Sequence, residues 1–367
     1  MGAHFGRGRV PIAAQDRRDD RAAMRAALDE ADGGKLVDRF THRHARDTAP
    51  IRPCGVAAIG VCEPPRQKID FSGVERTSEP MGMAMAEERT ETPSPHAGEA
   101  VLKVAIAGFG AIGKAVARKL AAGAIPRVAL VAVASRDESK AARALAEAGI
   151  DVPVRPIESL SRFADVVIEC APAAVLDRIA RPVLTAGKKV IVVSVGALLR
   201  QPDLIELARR HGGQIIVPSG ALLGLDAVSA AAEGKIHSVR MVTRKPIAGL
   251  SGAPYLEEHK IDISGLREPM RVFEGTAREA ALGFPANLNV AVALSLAGIG
   301  PDETRIEIWA DPAINRNIHR ILLDSDAAKL DMTIENIPSE NPKTGRMAAL
   351  SVLSTLRKLQ AELRVGS

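Results

Sequence analysis

Gly108-Phe109-Gly110-Ala111-Ile112-Gly113 follows directly on the apolar run Val101-Leu102-Lys103-Val104-Ala105-Ile106-Ala107 and leads directly into a helix-like stretch. In such a turn Gly108 permits the sharp exit from the strand, Gly110 lets the backbone approach a pyrophosphate, and Gly113 lets the helix pack closely on the strand. The phosphates would meet the free N–H groups of Ala111, Ile112 and Gly113 at the start of the helix. A second apolar run at 128–134 completes a βαβ unit. A bare GxGxxG pattern is also compatible with a structural glycine turn, but this context makes it read as a dinucleotide-binding turn.

Working outward, apolar strands are predicted at 101–107, 128–134, 166–169, 190–195 and 214–217, with helices at 111–122, 140–148, 173–186 and 201–211. Strict alternation of helices with strands apolar along their whole length implies a parallel sheet covered on both faces. This α/β, Rossmann-type parallel-sheet domain is expected over 99–226. The alternation then ends. Strands at 235–244, 270–276, 304–310 and 319–323, and helices over 277–298 broken at Pro285, imply a smaller α+β substrate or oligomerisation domain over 227–340. A helix pattern at 343–363 is expected to return to the first domain, so that 341–367 packs back on it.

Residues 1–98 differ from everything after them. Arginines alternate densely with acids, only 16–31 has helical spacing, and Pro50, Pro53, Pro64, Pro65, Pro80, Pro93 and Pro95 interrupt the rest. Such a segment buries too little apolar surface to offset its ordering entropy, and the expectation is a mostly disordered extension. Its many acids argue against a transit peptide. A translation start near Met81, Met83 or Met85 is the plainer account.

The composition narrows the function classes. Cys54, Cys62 and Cys170 are the only cysteines in 367 residues, too few and too scattered for a disulfide framework or a zinc site, which suits a reducing cytoplasm and predicts no metal. No apolar run approaches the ~20 residues of a membrane span. The net charge of +5 comes with one Trp, one Tyr and seven Phe, so no basic block is interleaved with stacking rings as a nucleic-acid surface requires. Small anions are the expected partners.

Several residues could carry chemistry. The acid that would bond the adenosine ribose, about 20 residues beyond the glycines, is absent. Ser135 and Arg136 stand there, and a hydroxyl followed by a guanidinium suits a 2′-phosphate at least as well as a bare ribose, so NADP stands beside NAD. Arg136 reads equally as a solvated loop charge beside Asp137. Cys170 and Ala171 end a central strand where the nicotinamide half of a dinucleotide passes; no local base activates the thiol, so Cys170 reads as a small packing residue in a wall that touches cofactor. Four histidines lie outside the first 98 residues: His211, His237, His259 and His319. His211 sits at a helix C-terminus, where the dipole favours a cation. His237 and His259 read as surface positions. His319 closes a polar turn that leads into an apolar strand, and spacing alone leaves it open between a catalytic and a structural histidine. Arg244 and Lys245, ahead of the strand-ending Pro246, read either as binders of a substrate carboxylate or as a solvated strand-end pair. Asn289 starts a helix, where it would donate to a nicotinamide carboxamide or simply cap the helix.

Residues 101–365 resemble the L-aspartate dehydrogenase family. The resemblance rests on Ala107-Gly108-Phe109-Gly110-Ala111-Ile112-Gly113, Pro218-Ser219-Gly220-Ala221, Thr243-Arg244-Lys245-Pro246, Phe284-Pro285-Ala286-Asn287-Leu288-Asn289-Val290, Arg316-Asn317-Ile318-His319 and Asn341-Pro342-Lys343-Thr344-Gly345-Arg346, in that order. It implies NAD- or NADP-dependent oxidation of L-aspartate to iminoaspartate, an active-site histidine at His319, a cofactor-contacting asparagine at Asn289 and a second cofactor contact at Leu223. The family often carries a smaller alanine at this last position. It also implies a homodimer formed through the sheet of the second domain. The first 98 residues have no counterpart in it.

Two further readings share the two-domain plan. A semialdehyde dehydrogenase needs a cysteine nucleophile where this chain has Ser219-Gly220-Ala221. A dihydrodipicolinate-reductase-like enzyme would reduce a cyclic imine instead. A third reading, from another class, is a nicotinamide-sensing regulatory protein that binds cofactor without turnover.

Overall fold

The computed structural model describes residues 100–285, 288–338 and 345–366. The expected N-terminal extension and the Asn341-Pro342-Lys343-Thr344 part of the last turn lie outside the described residues.

Five strands form the first sheet: β1 (Leu102–Ala107), β2 (Val128–Ala134), β3 (Val166–Glu169), β4 (Lys189–Val192) and β5 (Gln214–Ile216). All pair in parallel, in the order β2-β1-β3-β4-β5. The apolar runs translate directly into burial on two faces, because successive side chains of a strand point in opposite directions. Val104 and Ile106 of β1 join one core with Val116, Ala117 and Leu120 of α1 (Ala111–Ala121). Ala105 and Ala107 join another with Leu176 and Ile179 of α3 (Leu176–Thr185) and Leu204 of α4 (Asp203–His211). Between these, α2 (Glu138–Glu147) starts at Asp137, whose carboxylate accepts from the Lys140 N–H at 2.9 Å and so caps the helix.

After α5 (Leu225–Ala232) comes a mixed sheet of β6 (Ile236–Lys245), β7 (Met270–Thr276), β8 (Arg305–Ala310), β9 (Asn317–Ser325) and β10 (Lys329–Asn336). Its order is β10-β9-β6-β8-β7, and β6 and β8 run parallel. Short helices α6 (Ile247–Leu250), α7 (Pro254–Glu258) and α8 (Ala277–Gly283) lie between β6 and β8, followed by α9 (Asn289–Ala297). Four neighbouring residues of α9 serve two cores. Ala291 and Leu294 pack with the mixed sheet, and Val292 and Ala293 pack with the parallel one. A helix apolar on every side is the joint between the sheets.

The last helix, α10 (Met347–Gln360), returns to the parallel sheet. Its Val352 and Leu356 share a core with α1, and its Ser351 hydroxyl accepts from the Gly220 N–H at 3.1 Å. No helix among the described residues is long and apolar enough to cross a membrane.

Three sequence expectations are corrected. The strand expected over 190–195 stops at Val192, because the Val193 and Ser194 amides turn toward the Glu169 carboxylate. The strand expected at 319–323 runs from Asn317 to Ser325, so that His319 lies inside it. Strand β10 and helix α5 were not expected at all.

Candidate active site

The parallel order places β1 between β2, which follows it in sequence, and β3, so the crossovers leave β1 in opposite directions, and a crevice forms at the C-terminal ends of β1 and β3. The glycine turn spans that crevice. Gly108 holds φ +103°, and a Cβ there would stand 2.6 Å from the Cys170 carbonyl, so only glycine fits. At Gly113 a Cβ would meet the Gly108 carbonyl oxygen at 2.2 Å. Around Gly110 nothing lies within 4 Å of an added Cβ. Two closed glycines and one facing open space are what a pyrophosphate on the N-terminus of α1 requires, so the turn fits a dinucleotide.

A cleft continues from this turn toward the mixed sheet. Ile112 of the turn, Val193 and Val195 beyond β4, and Asn289 form one side. Lys245, Asn317 and His319 form the other. The structure therefore brings His319 to the same opening as the glycine turn.

His319 is 2% exposed and lies directly across from Thr243 in the β6–β9 pairing. Its Nδ1 is 3.1 Å from the Thr243 hydroxyl, which leaves Nε2 as the ring nitrogen without a hydrogen-bond partner among the described residues. Burial, and after it the charge of Lys245, pushes the His319 pKa down to about 3, so the ring is neutral at neutral pH. Lys245 ends β6 on the same side as Thr243, is 2% exposed, and has no anionic partner among the described residues. Burial lowers its pKa to about 8.

Arg244 does not line the cleft. Strand alternation sends it to the opposite face, where its guanidinium lies 3.4 Å from Asp311 Oδ2 and 5.7 Å from the Trp309 ring centroid. Of the expected carboxylate-binding pair, only Lys245 reaches the site.

Asn289 sits at the joint helix α9. Its Oδ1 accepts from the Gly196 N–H at 3.0 Å and caps no helix, which leaves its amide N–H groups to the cleft. Leu223 is half buried against the core of the mixed sheet and does not line the cleft. Ser135 and Arg136 follow β2, with Arg136 exposed and Asp137 committed to its cap. Burial, then the Glu169 charge, raises the Cys170 thiol well above its ordinary pKa, so it stays protonated. The surface readings of His237 and His259 agree with their exposure; His259 stacks on Tyr255 at 3.9 Å. His211 ends α4. No cluster of three or more His, Cys, Asp or Glu side chains able to hold a metal ion occurs among the described residues.

Two residues of the site were missed in the sequence. Thr243 carried no signal until the pairing of β6 with β9 placed it opposite His319. Glu169 did carry one, as an acid closing an apolar strand, and its side chain is fully buried beside the cleft wall.

Comparison with known proteins agrees with both halves of the cleft. Residues 226–359 match the family profile described as aspartate dehydrogenase, C-terminal, and residues 108–218 match homoserine dehydrogenase, NAD binding domain. The chain is 61% identical over 266 residues to L-aspartate dehydrogenase 3 of Bordetella bronchiseptica, covering 72% of this chain and 98% of that protein. It is 58% identical over 266 residues to L-aspartate dehydrogenase of Bradyrhizobium diazoefficiens, covering 72% and 94%. The crystal structure of aspartate dehydrogenase from Thermotoga maritima shares the fold, with a TM-score of 0.55 at 23% identity, covering 72% of this chain and 99% of that one. With the glycine turn and the two matched profiles in place, the chain is an NAD- or NADP-dependent oxidoreductase and belongs to the L-aspartate dehydrogenase family.

Proposed function

We propose that this protein oxidises L-aspartate to iminoaspartate with NAD or NADP, with His319 as the general base. The observation that carries the reading is Lys245: a buried ammonium without an anionic partner among the described residues, lining the same cleft as Ile112 and His319. An unpaired buried charge is costly, and a substrate carboxylate supplies the missing partner. In this reading the pyrophosphate lies on Gly108, Gly110, Ala111, Ile112 and Gly113, and the adenosine ribose lies near Ser135 and Arg136. Cys170, Ala171 and Asn289 stand toward the nicotinamide, and Leu223 has no part in it.

A nicotinamide held by the glycine turn and the β3–β4 ends would supply the hydride acceptor for the substrate Cα; the protein's share is positioning and proton transfer. Lys245 holds a carboxylate and Asn289 offers its amide, so the Cα–H faces the cofactor side of the cleft. Hydride loss requires a neutral amine, and Nε2 of His319 takes the ammonium proton. Free His319 is a weak base because it is buried beside Lys245. A dicarboxylate that pairs with Lys245 cancels the second of these causes, so substrate binding itself raises the basicity of the ring. The imine then hydrolyses to oxaloacetate and ammonia, or enters pyridine-nucleotide synthesis.

The test is absorbance at 340 nm with a panel of amino acids, each with NAD and with NADP, and of oxo acids with ammonia and a cyclic imine, each with NADH and with NADPH. Reduced cofactor should appear with aspartate. Turnover of a cyclic imine alone would make the protein a dihydrodipicolinate-reductase-like enzyme, and cofactor binding without turnover of any substrate would make it a sensor. The same reading places the protein in the cytoplasm as a homodimer, assigns 99–226 with 341–367 to cofactor and 227–340 to substrate, and involves neither nucleic acid nor membrane.

A further inference from the structure

Glu169 closes β3 with none of its surface exposed. Its Oε1 accepts from the Ala171 N–H at 2.9 Å and the Ser194 hydroxyl at 3.0 Å. Its Oε2 accepts from the Ser194 N–H at 2.8 Å and the Val193 N–H at 3.1 Å. Three of these partners are backbone N–H donors; the Ser194 hydroxyl also lies 2.9 Å from the Ala171 carbonyl oxygen and has one proton for the two acceptors. The three amides hold the carboxyl group in place whichever acceptor the Ser194 proton serves. Burial raises the pKa of this carboxyl, and the bonds from Ser194, Ala171 and Val193 oppose that rise. A buried charge without a cation is expensive and is held only where several dipoles converge on it.

The groups it gathers form the wall of the crevice. Ala171 follows Cys170, whose carbonyl stands against Gly108. Val193 lines the cleft. Two residues past Ser194, the Gly196 N–H reaches Asn289 Oδ1 at 3.0 Å. Strands β3 and β4 lie on the far side of β1 from β2, so the part of a dinucleotide beyond the pyrophosphate passes over their ends.

We propose that Glu169 is a positioning residue for the nicotinamide half of the cofactor: its carboxylate fixes the Ala171 and Val193–Ser194 backbone on which that half rests and, through Gly196, fixes Asn289. The role rests on the cofactor reading of the cleft, and it is independent of which substrate is oxidised and which group is the base.

The test compares NADH and NADPH with ADP-ribose, which carries the adenosine and pyrophosphate but no nicotinamide, by calorimetric titration of the full chain well below each variant's Tm. In Glu169→Gln the amide N–H₂ meets donors, so the wall loosens. The Kd for the preferred reduced cofactor should rise at least about tenfold while that for ADP-ribose stays within about twofold. Ser194→Ala removes the hydroxyl contacts to Glu169 and to the Ala171 carbonyl and leaves the three amide bonds; it should weaken reduced-cofactor binding by about two- to fivefold, and it decides the question if Glu169→Gln does not fold. A lowered Tm with unchanged cofactor affinity, or equal weakening of ADP-ribose, overturns the proposal. Wild-type protein that binds cofactor but does not oxidise aspartate would remove the proposed substrate and leave the role of Glu169 standing.

Discussion

At the scale of single residues, the site depends on a charged lysine beside a histidine that stays neutral. Because burial and Lys245 hold the His319 pKa near 3, the ring is neutral at every working pH, and kcat/KM for aspartate should show no acid limb near the ordinary histidine value of about 6.5. The alkaline side belongs to Lys245. It is charged below its pKa of about 8 and neutral above it, so carboxylate binding, and with it kcat/KM, should fall as pH rises through about 8. Lys245→Arg keeps its charge throughout and should remove that limb, even if it lowers the plateau. A pH–rate profile of both proteins checks this; an unchanged limb in the variant would assign it to another group. His319→Ala should lower kcat by at least about 10²-fold with cofactor affinity retained. Thr243 is the quieter partner. Thr243→Val keeps the shape in a fully buried position and removes the hydroxyl at Nδ1, so kcat should fall about tenfold or more while Thr243→Ser keeps most of it. Equal kcat in the Val and wild-type enzymes would reduce Thr243 to packing.

At the scale of elements, the glycine turn separates binding from stability. Gly113→Ala would drive a Cβ into the Gly108 carbonyl, so α1 must move off β1, at a cost of about 1–3 kcal/mol read as a lower Tm. Gly110→Ala puts its Cβ where nothing lies within 4 Å, should leave Tm close to wild type, and should weaken cofactor binding by crowding the space meant for phosphate. Calorimetry of both variants, with and without NADH, checks the contrast. This turn was also the most legible part of the sequence, because strands buried on both faces are apolar along their length and announce themselves. The half-exposed β10 was missed although Leu330, Met332 and Ile334 alternate with polar residues, since one short amphipathic run resembles a polar loop until its partner strand is known. The same blindness applied to Thr243-Arg244-Lys245. Sequence placed all three at a strand end, but only the pairing with β9 shows that Thr243 and Lys245 face the cleft and Arg244 turns away. His319 was identified by resemblance rather than by spacing, because a strand histidine looks the same whether its neighbours are a threonine and a lysine or ordinary core.

At the scale of the whole molecule, the mixed sheet has one face that the cleft does not use. Val242, Ile318, Leu322 and Trp309 are half buried there, on the side away from His319. Ion-paired residues alternate with them across the strands: Arg320, opposite Val242, pairs with Asp331 at 2.5 Å, Arg240, opposite Leu322, pairs with Glu307, and Arg244, opposite Ile318, pairs with Asp311. A stripe in which apolar side chains alternate with paired charges can be self-complementary, and it suits the proposed homodimer, two copies of one sheet meeting face to face. Leu322→Asp would place a charge in the middle of that stripe. Light scattering should then give a monomer for the variant and a dimer for the wild type, with cofactor affinity unchanged, because strand alternation keeps this face apart from the one that carries His319. A wild-type monomer, or a variant that stays dimeric, would move the interface elsewhere. If the dimer forms as proposed, β9 supports the active site with one face and the subunit contact with the other. Dilution below the dimerisation constant should then free the outer face, leaving Thr243 and His319 paired and turnover per chain nearly constant.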